Sequence, residues 1–175
     1  FITMKKSIIP SLILLSCMAC HVPNDNSQNQ KGYTPPAIKL SSDVMTPEVL
    51  WSFGRIGNVS VSPDGSKAVY DITYFNKEED RGYSDLYLMN LPEGQTTRLT
   101  DTDYNESDAG WTPDGKFITY LAKGQLWEMN PDGSGRKQLT QYEGDIEGFS
   151  FSPDGKTVVY AKDLNLYRTV SYTHL

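Results

Sequence analysis

From Val59 onward apolar and polar residues alternate in short runs broken by turn residues, the period-two pattern of strands. Three stretches carry nearly the same pattern: Val59-Ser-Val-Ser-Pro-Asp-Gly-Ser-Lys-Ala-Val-Tyr70, Ala109-Gly-Trp-Thr-Pro-Asp-Gly-Lys-Phe-Ile-Thr-Tyr120 and Phe149-Ser-Phe-Ser-Pro-Asp-Gly-Lys-Thr-Val-Val-Tyr160. In each, proline presets φ, aspartate can bond the backbone two residues on and glycine supplies positive φ, so the tripeptide predicts a turn between antiparallel strands. A second unit follows each copy, at Asp85-Leu86-Tyr87, Gln125-Leu126-Trp127 and Asn165-Leu166-Tyr167, every 40 residues. With closing strands at Arg98-Leu99-Thr100 and Gln138-Leu139-Thr140, a copy supplies up to four short strands, the period of a propeller blade. The expected fold class is all-β: a partial β-propeller of about two complete four-stranded blades and part of a third, following a signal peptide and linker.

The turn prolines Pro63, Pro113 and Pro153 are 50 and then 40 residues apart, and the ten extra residues fall between Thr73 and Gly82, predicting a loop insertion in the first copy. Nearly continuous apolar runs, Leu86 to Met89 and Thr157 to Ala161, predict sheets covered on both faces. Trp111 and Trp127 are then expected in the inter-blade core and not in a ligand box.

Ahead of the repeats, Thr46-Pro47-Glu48 places a capping hydroxyl, a proline and an acid in the order of a helix start, predicting one short helix. The polar, proline-broken stretch from His21 to about Ser42 lacks the aliphatic content to offset ordering entropy and reads as a tether. Met4-Lys5-Lys6, the apolar run Ile8 to Leu15 and then Ser16-Cys17 have the parts of an export signal too short to span a bilayer. Leu14-Leu15-Ser16-Cys17 resembles a bacterial lipobox with Cys17 as the lipidated residue; Cys20 is the alternative, and Phe1 to Thr3 read as upstream translation. The expected organisation is a lipoprotein signal peptide over 1–17 (or to 20), a disordered linker over 18–45, an incomplete propeller over 46–168 and a non-native tail over 169–175. Export to the cell envelope, in the periplasm or at the outer membrane, follows, with membrane contact only through the anchor.

Composition narrows the function classes. No cysteine lies beyond position 20, so the repeats have no disulfide framework or thiolate metal site. A formal charge of −6 with no basic cluster after the signal argues against nucleic acid. Asp101-x-Asp103-x-Asn105 imitates a calcium loop, but Glu106 and Thr112 stand where glycine and a bidentate acid belong, so the expectation is an inter-blade crossover, with no metal and no cofactor. Gly148-Phe-Ser150-Phe-Ser152 lacks the last glycine of a nucleophile elbow, and the only histidines are His21 and His174, so no catalytic residue is assigned.

The Ser-Pro-Asp-Gly-Lys turns, together with Leu126-Trp-Glu-Met-Asn-Pro-Asp-Gly-Ser-Gly-Arg-Lys-Gln-Leu-Thr140, resemble the blade repeats of TolB-like propellers and of the N-terminal propellers of prolyl oligopeptidase family serine peptidases. The resemblance runs from about Ser42 to Arg168. The lead-in from Thr46 through Gly54-Arg55 to Gly65 looks like the start of exported dipeptidyl-peptidase and acylaminoacyl-peptidase-like members. That resemblance implies a non-catalytic propeller that caps an α/β-hydrolase domain missing from this chain, in a parent that cleaves short peptides by acyl-enzyme chemistry. It also implies that paired glutamates, here Glu78 and Glu79, could hold a substrate's amino terminus; a solvated charged loop over Lys77 to Arg81 is the other reading. Arg55 could reach a peptide carboxylate or pin the lead-in segment to the first blade. A TolB-like binding propeller with no enzyme shares the same repeats. Beyond Arg168 the sequence leaves the repeat template, which suggests a frameshift or fused read; resequencing the locus through that codon tests this, and an unchanged reading frame would refute it.

Overall fold

The three Pro-Asp-Gly copies close one and the same turn. Ser62 Oγ donates to Asp64 Oδ1 at 2.6 Å and accepts from Lys67 N at 3.0 Å, while Asp64 Oδ1 accepts from Ser66 N at 3.1 Å. Thr112 with Asp114 and Ser152 with Asp154 repeat the arrangement at 2.7 and 2.6 Å. Gly65 takes φ +73°, a value that L side chains rarely adopt, and its amide donates to Ser62 O. The hydroxyl of Ser62, then the Ser66 amide, hold the Asp64 carboxyl down at about 2.

A computed structural model describes residues 32–37, 40 and 43–170. Cys17, the signal segment, most of the expected linker and residues 171–175 lie outside the described residues. The turns organise three antiparallel sheets in meander order. Blade 1 is β1 (Arg55–Val61), β2 (Lys67–Asn76), β3 (Arg81–Asn90) and β4 (Thr96–Arg98); blade 2 is β5 (Glu106–Trp111), β6 (Ile118–Ala122), β7 (Gln125–Met129) and β8 (Lys137–Gln138). Blade 3 holds β9 (Ile146–Phe151), β10 (Thr157–Lys162) and β11 (Asn165–Val170). This is the partial propeller expected from the repeats. Thr169 and Val170, assigned to the tail on sequence, pair with Val158 and Thr157.

Alternation along each strand gives the blades two apolar faces, and blades 1 and 2 each pack one of them on the next. Val69 and Leu86 of blade 1 meet Ile118, Tyr120, Ala122 and Met129 of blade 2, with Trp111 and Trp127 packed against the same cluster, in the inter-blade core as anticipated. Leu121 and Leu126 on the other face of blade 2 meet Val158 and Tyr160 of blade 3.

The ten extra residues of the first copy are not a loop. They lengthen the β2–β3 hairpin to two strands of 10 residues, against 5 in β6 and β7, leaving only Lys77 to Asp80 as turn. Pairing continues through Thr73↔Ser84, Tyr74↔Tyr83 and Phe75↔Gly82, because β-branched and aromatic residues there suit a ladder better than a coil. Helix α1 (Pro47–Ser52) forms as expected, with Thr46 Oγ1 accepting from Val49 N at 3.3 Å. Tyr33, in the expected linker, lies on blade 1: its ring stacks on Tyr83 at 5.3 Å and its carbonyl accepts from Arg98 Nη2 at 3.1 Å. Among the described residues no helix is long and apolar enough to cross a membrane.

Candidate functional site

The lengthened hairpin, α1 and the segment around Tyr33 enclose a cleft of about 370 Å³ at one end of blade 1. Helical spacing puts Glu48 and Trp51 on one side of α1, and both line the cleft with Tyr33, Tyr74, Phe75 and Glu78. Trp51 packs on Phe75 at 5.1 Å, and the Arg55 guanidinium sits 4.7 Å over the Trp51 ring. Lys77 and Glu48 approach to 4.0 Å, both well exposed, so the pair adds little stability.

The three residues singled out on sequence part company here. Glu78 lines the cleft. Glu79 instead accepts a hydrogen bond from the Tyr83 hydroxyl, which raises the pKa of that phenol. Asn76 Oδ1 accepts from the amides of both glutamates, at 3.0 and 3.4 Å, and closes the turn that carries them. Arg55 borders the cleft through Trp51 and ties the helix to β1. The aromatic walls, Trp51, Tyr74, Phe75 and Tyr33, escaped the sequence reading. Their signal was Tyr74-Phe75 within the extra ten residues, which was overshadowed by the charged run that follows.

A second, polar groove of about 420 Å³ runs along the innermost strands, with Asn58 and Ser60 from β1, Asp108 and Gly110 from β5 and Ser150 from β9 on its walls. Asp71, buried beneath it, accepts from Asn58 N at 3.0 Å, and burial raises its pKa, with Asp108 adding to the effect. A Cβ at position 57 would lie 1.9 Å from Asp71 Oδ2, so this approach requires Gly57. Ser150 lies inside β9, in strand geometry.

A strong electrostatic perturbation is buried between blades 1 and 2. Glu106 sits with Oε1 2.8 Å from Thr102 Oγ1 and Oε2 3.3 Å from Thr100 Oγ1. Thr100 Oγ1 is also 3.3 Å from Asp85 Oδ1 and accepts from Leu86 N at 2.9 Å. One hydroxyl proton cannot satisfy two ionised carboxylates, so the geometry favours a proton on one of them. Burial pushes the Glu106 carboxyl up to about 7 against the pull of Thr102, and Asp85 adds to the rise. Burial also raises Asp85, opposed by Arg98 at 2.7 Å, which reaches Asp101 at 3.1 Å as well. Asp101 and Asn105, two members of the calcium-like spacing, are thus engaged with Arg98 and with Ser84 N. Among the described residues no group of three or more histidines, cysteines or acids is placed to hold a metal ion.

No protein-family model matches the chain. It is 32% identical over 167 residues, 93% of its length, to dipeptidyl-peptidase 5 of Porphyromonas endodontalis, and 37% identical over 135 residues, 75% of its length, to dipeptidyl-peptidase 5 of Porphyromonas gingivalis. It spans only 24% and 20% of those relatives. Among solved structures, acylaminoacyl peptidase of Pyrococcus horikoshii superposes with a TM-score of 0.54 at 17% identity over 63% of this chain and 17% of that one. TolB from Acinetobacter baumannii superposes with a TM-score of 0.52 at 24% identity over 67% of this chain and 30% of that one. Structural likeness at these identities speaks to fold, and the sequence relatives speak to descent. The chain is a segment of TolB-like β-propeller, homologous to part of the dipeptidyl-peptidase 5 proteins and of the kind found in prolyl oligopeptidase family peptidases.

Proposed function

We propose that this chain is the non-catalytic propeller portion of a longer exported serine peptidase that removes short pieces from the amino ends of peptides. The observation that carries this reading is the 32% identity with dipeptidyl-peptidase 5 across 93% of the chain. Acyl-enzyme chemistry would be supplied by an α/β-hydrolase domain elsewhere in the parent, and the propeller would restrict access to it. In this reading the blade 1 cleft contacts peptide: Glu78 offers a carboxylate to an ammonium group beside the apolar wall of Trp51, Tyr74 and Phe75, and Arg55 offers a guanidinium at its margin.

The test is made on the parent protein. Release of a chromophore from dipeptidyl substrates, with fluorophosphonate labelling of one serine that is lost when that serine is replaced, is the expected result. A parent that closes a propeller, takes no label and cleaves no peptide would be a TolB-like binding module, and the peptidase reading would be wrong. Lipidation at Cys17 and residence in the cell envelope belong to the same proposal. Labelled fatty acid should enter the wild type and not Cys17→Ala; equal incorporation would move the anchor to Cys20, and none would exclude it.

A further inference from the structure

A short strap of the lead-in chain lies across blade 1. Gly32 is buried against the β4–β5 crossover, where a Cβ would come within 2.5 Å of Thr102 O and 2.9 Å of Asp101 Oδ1, so nothing larger than glycine fits. Tyr33 follows, stacked on Tyr83, and Pro35 and Pro36 line the cleft with Trp51 and Tyr74. Prolines at 35 and 36 fix their own φ and favour extended backbone in the residue before each, so Tyr33 to Pro36 is laid on the blade as a bound peptide would be. The platform beneath is set without the strap. Tyr83 pairs across the hairpin with Tyr74 of the cleft wall, which puts both rings on one face of the sheet. The Glu79 carboxylate on its hydroxyl and the Arg81 guanidinium 4.7 Å from its ring centre hold Tyr83 in place. Arg98 Nη2, the donor to the Tyr33 carbonyl, has two hydrogens for three acceptors: that carbonyl at 3.1 Å and the carboxylates of Asp85 and Asp101 at 2.7 and 3.1 Å. A neutral carbonyl is the weakest acceptor of the three, so the bond that fastens the strap is the one most easily exchanged.

We infer that Tyr83 and Arg98 form a further subsite of the blade 1 cleft, for an extended peptide that stacks an aromatic side chain on Tyr83 and gives a main-chain carbonyl to Arg98, and that Tyr33 to Pro36 is a built-in competitor covering it. This rests on the reading, proposed above, that the cleft contacts peptide. The strap's two contacts, a planar ring and a carbonyl, are ones that such a peptide offers equally well. Ten residues, 37–46, join the strap to α1, which gives it an effective concentration on the order of 1 mM over the platform. A peptide arriving at lower concentration binds only while the strap is away.

Binding of a fluorescent peptide to the full-length parent tests the inference without reference to activity. The probe is Gly-Tyr-Thr-Pro-Pro amide with fluorescein on its amino end, followed by anisotropy. Gly32→Val evicts the strap without altering Tyr83 or Arg98 and should tighten the probe about tenfold, the competitor being gone. Adding Tyr83→Ala to that variant should return the affinity to the wild-type level or below. Tyr33→Ala removes the stacked ring and forces no clash; it should tighten binding about threefold, and it gives the answer if the valine variant folds poorly. Equal affinity in wild type, Gly32→Val and Tyr33→Ala would mean that the strap only fastens the lead-in chain, and overturns the proposal. Tightening that survives Tyr83→Ala would put the probe elsewhere and overturns it too. Fluorophosphonate labelling is read on the same samples. A parent that takes the label while its probe affinity ignores the strap keeps the peptidase reading and loses the subsite; strap-dependent binding with no labelled serine keeps the subsite, in a peptide-binding propeller.

Discussion

At the junction of blades 1 and 2, Thr100 faces two carboxyl groups, and at the junction of blades 2 and 3 its counterpart Thr140 faces an amide. The scaffold is common to both: Leu86 N donates to Thr100 Oγ1 and Leu126 N to Thr140 Oγ1, each at 2.9 Å. Gln125, in the place of Asp85, is fully engaged: its Oε1 accepts from Thr140 and from Tyr142 N, and its Nε2 donates to the carbonyls of Tyr142 and Gly144. Ile146 stands where the first junction has Glu106, each pairing with the last residue of its neighbouring β-strand. One backbone plan therefore tolerates, beside this threonine, a carboxyl pair that needs Arg98 and a shared proton, and an amide that needs neither. Of these two threonine sites the carboxyl one is pH-dependent.

The largest way to break the comparison is Arg98→Met, which strands Asp85 in a buried site. At neutral pH a loss of about 3–5 kcal/mol is expected in urea unfolding, shrinking towards acid as Asp85 takes up a proton. A loss independent of pH would refute the ion-pair account.

Next comes Glu106→Gln. Because the folded pKa of Glu106 is raised from 4.5 to about 7, its contribution is fully present below pH 4.5 and is lost as pH rises through 7. Removing the acid should flatten that decline, by roughly 3 kcal/mol at about 1.4 kcal/mol per pH unit. Asp85, raised in the same direction, will retain a slope of its own. Stability followed from pH 4 to 8 reads the difference, and parallel curves for variant and wild type would mean that Glu106 does not titrate in this range.

Thr140→Val tests the amide site. It removes the hydroxyl shared by Leu126 N and Gln125, at an expected cost of about 1–2 kcal/mol that does not vary with pH. A pH-dependent cost would blur the distinction between the junctions. The smallest effect concerns the hairpin turns: blade 2 uses Lys123-Gly124 and blade 3 Asp163-Leu164, with Leu164 at φ +59°. Leu164→Gly relieves a left-handed leucine and should stabilise the chain by about 1 kcal/mol, checked by thermal melting; a lower melting temperature would indicate that the leucine packs.

The blade plan was legible because it is local. Pro63, Pro113 and Pro153 with the aspartate and glycine after each declare a turn from three adjacent residues, and the strands follow from alternation on either side. In sequence the lengthened hairpin has the character of a loop because Lys77 to Arg81 dominate it, whereas pairing of Tyr74 with Tyr83 carries the ladder up to the turn at Lys77. Glu78 and Glu79 are adjacent in sequence but diverge in space, since neighbours on a turn need not share a target and the Tyr83 hydroxyl takes one of them.

By itself the sequence determined the period, the turns, the strand faces and the short helix, all of which depend on neighbours within a few positions. Only tertiary structure decided that Trp51, more than twenty residues from Phe75, forms a cleft wall with it, that Tyr33 lies on Tyr83, and that Asp85, Thr100 and Glu106 share a buried proton problem. Burial and charge at those places come from packing one blade on another, and that packing is a property of side chains far apart in the chain.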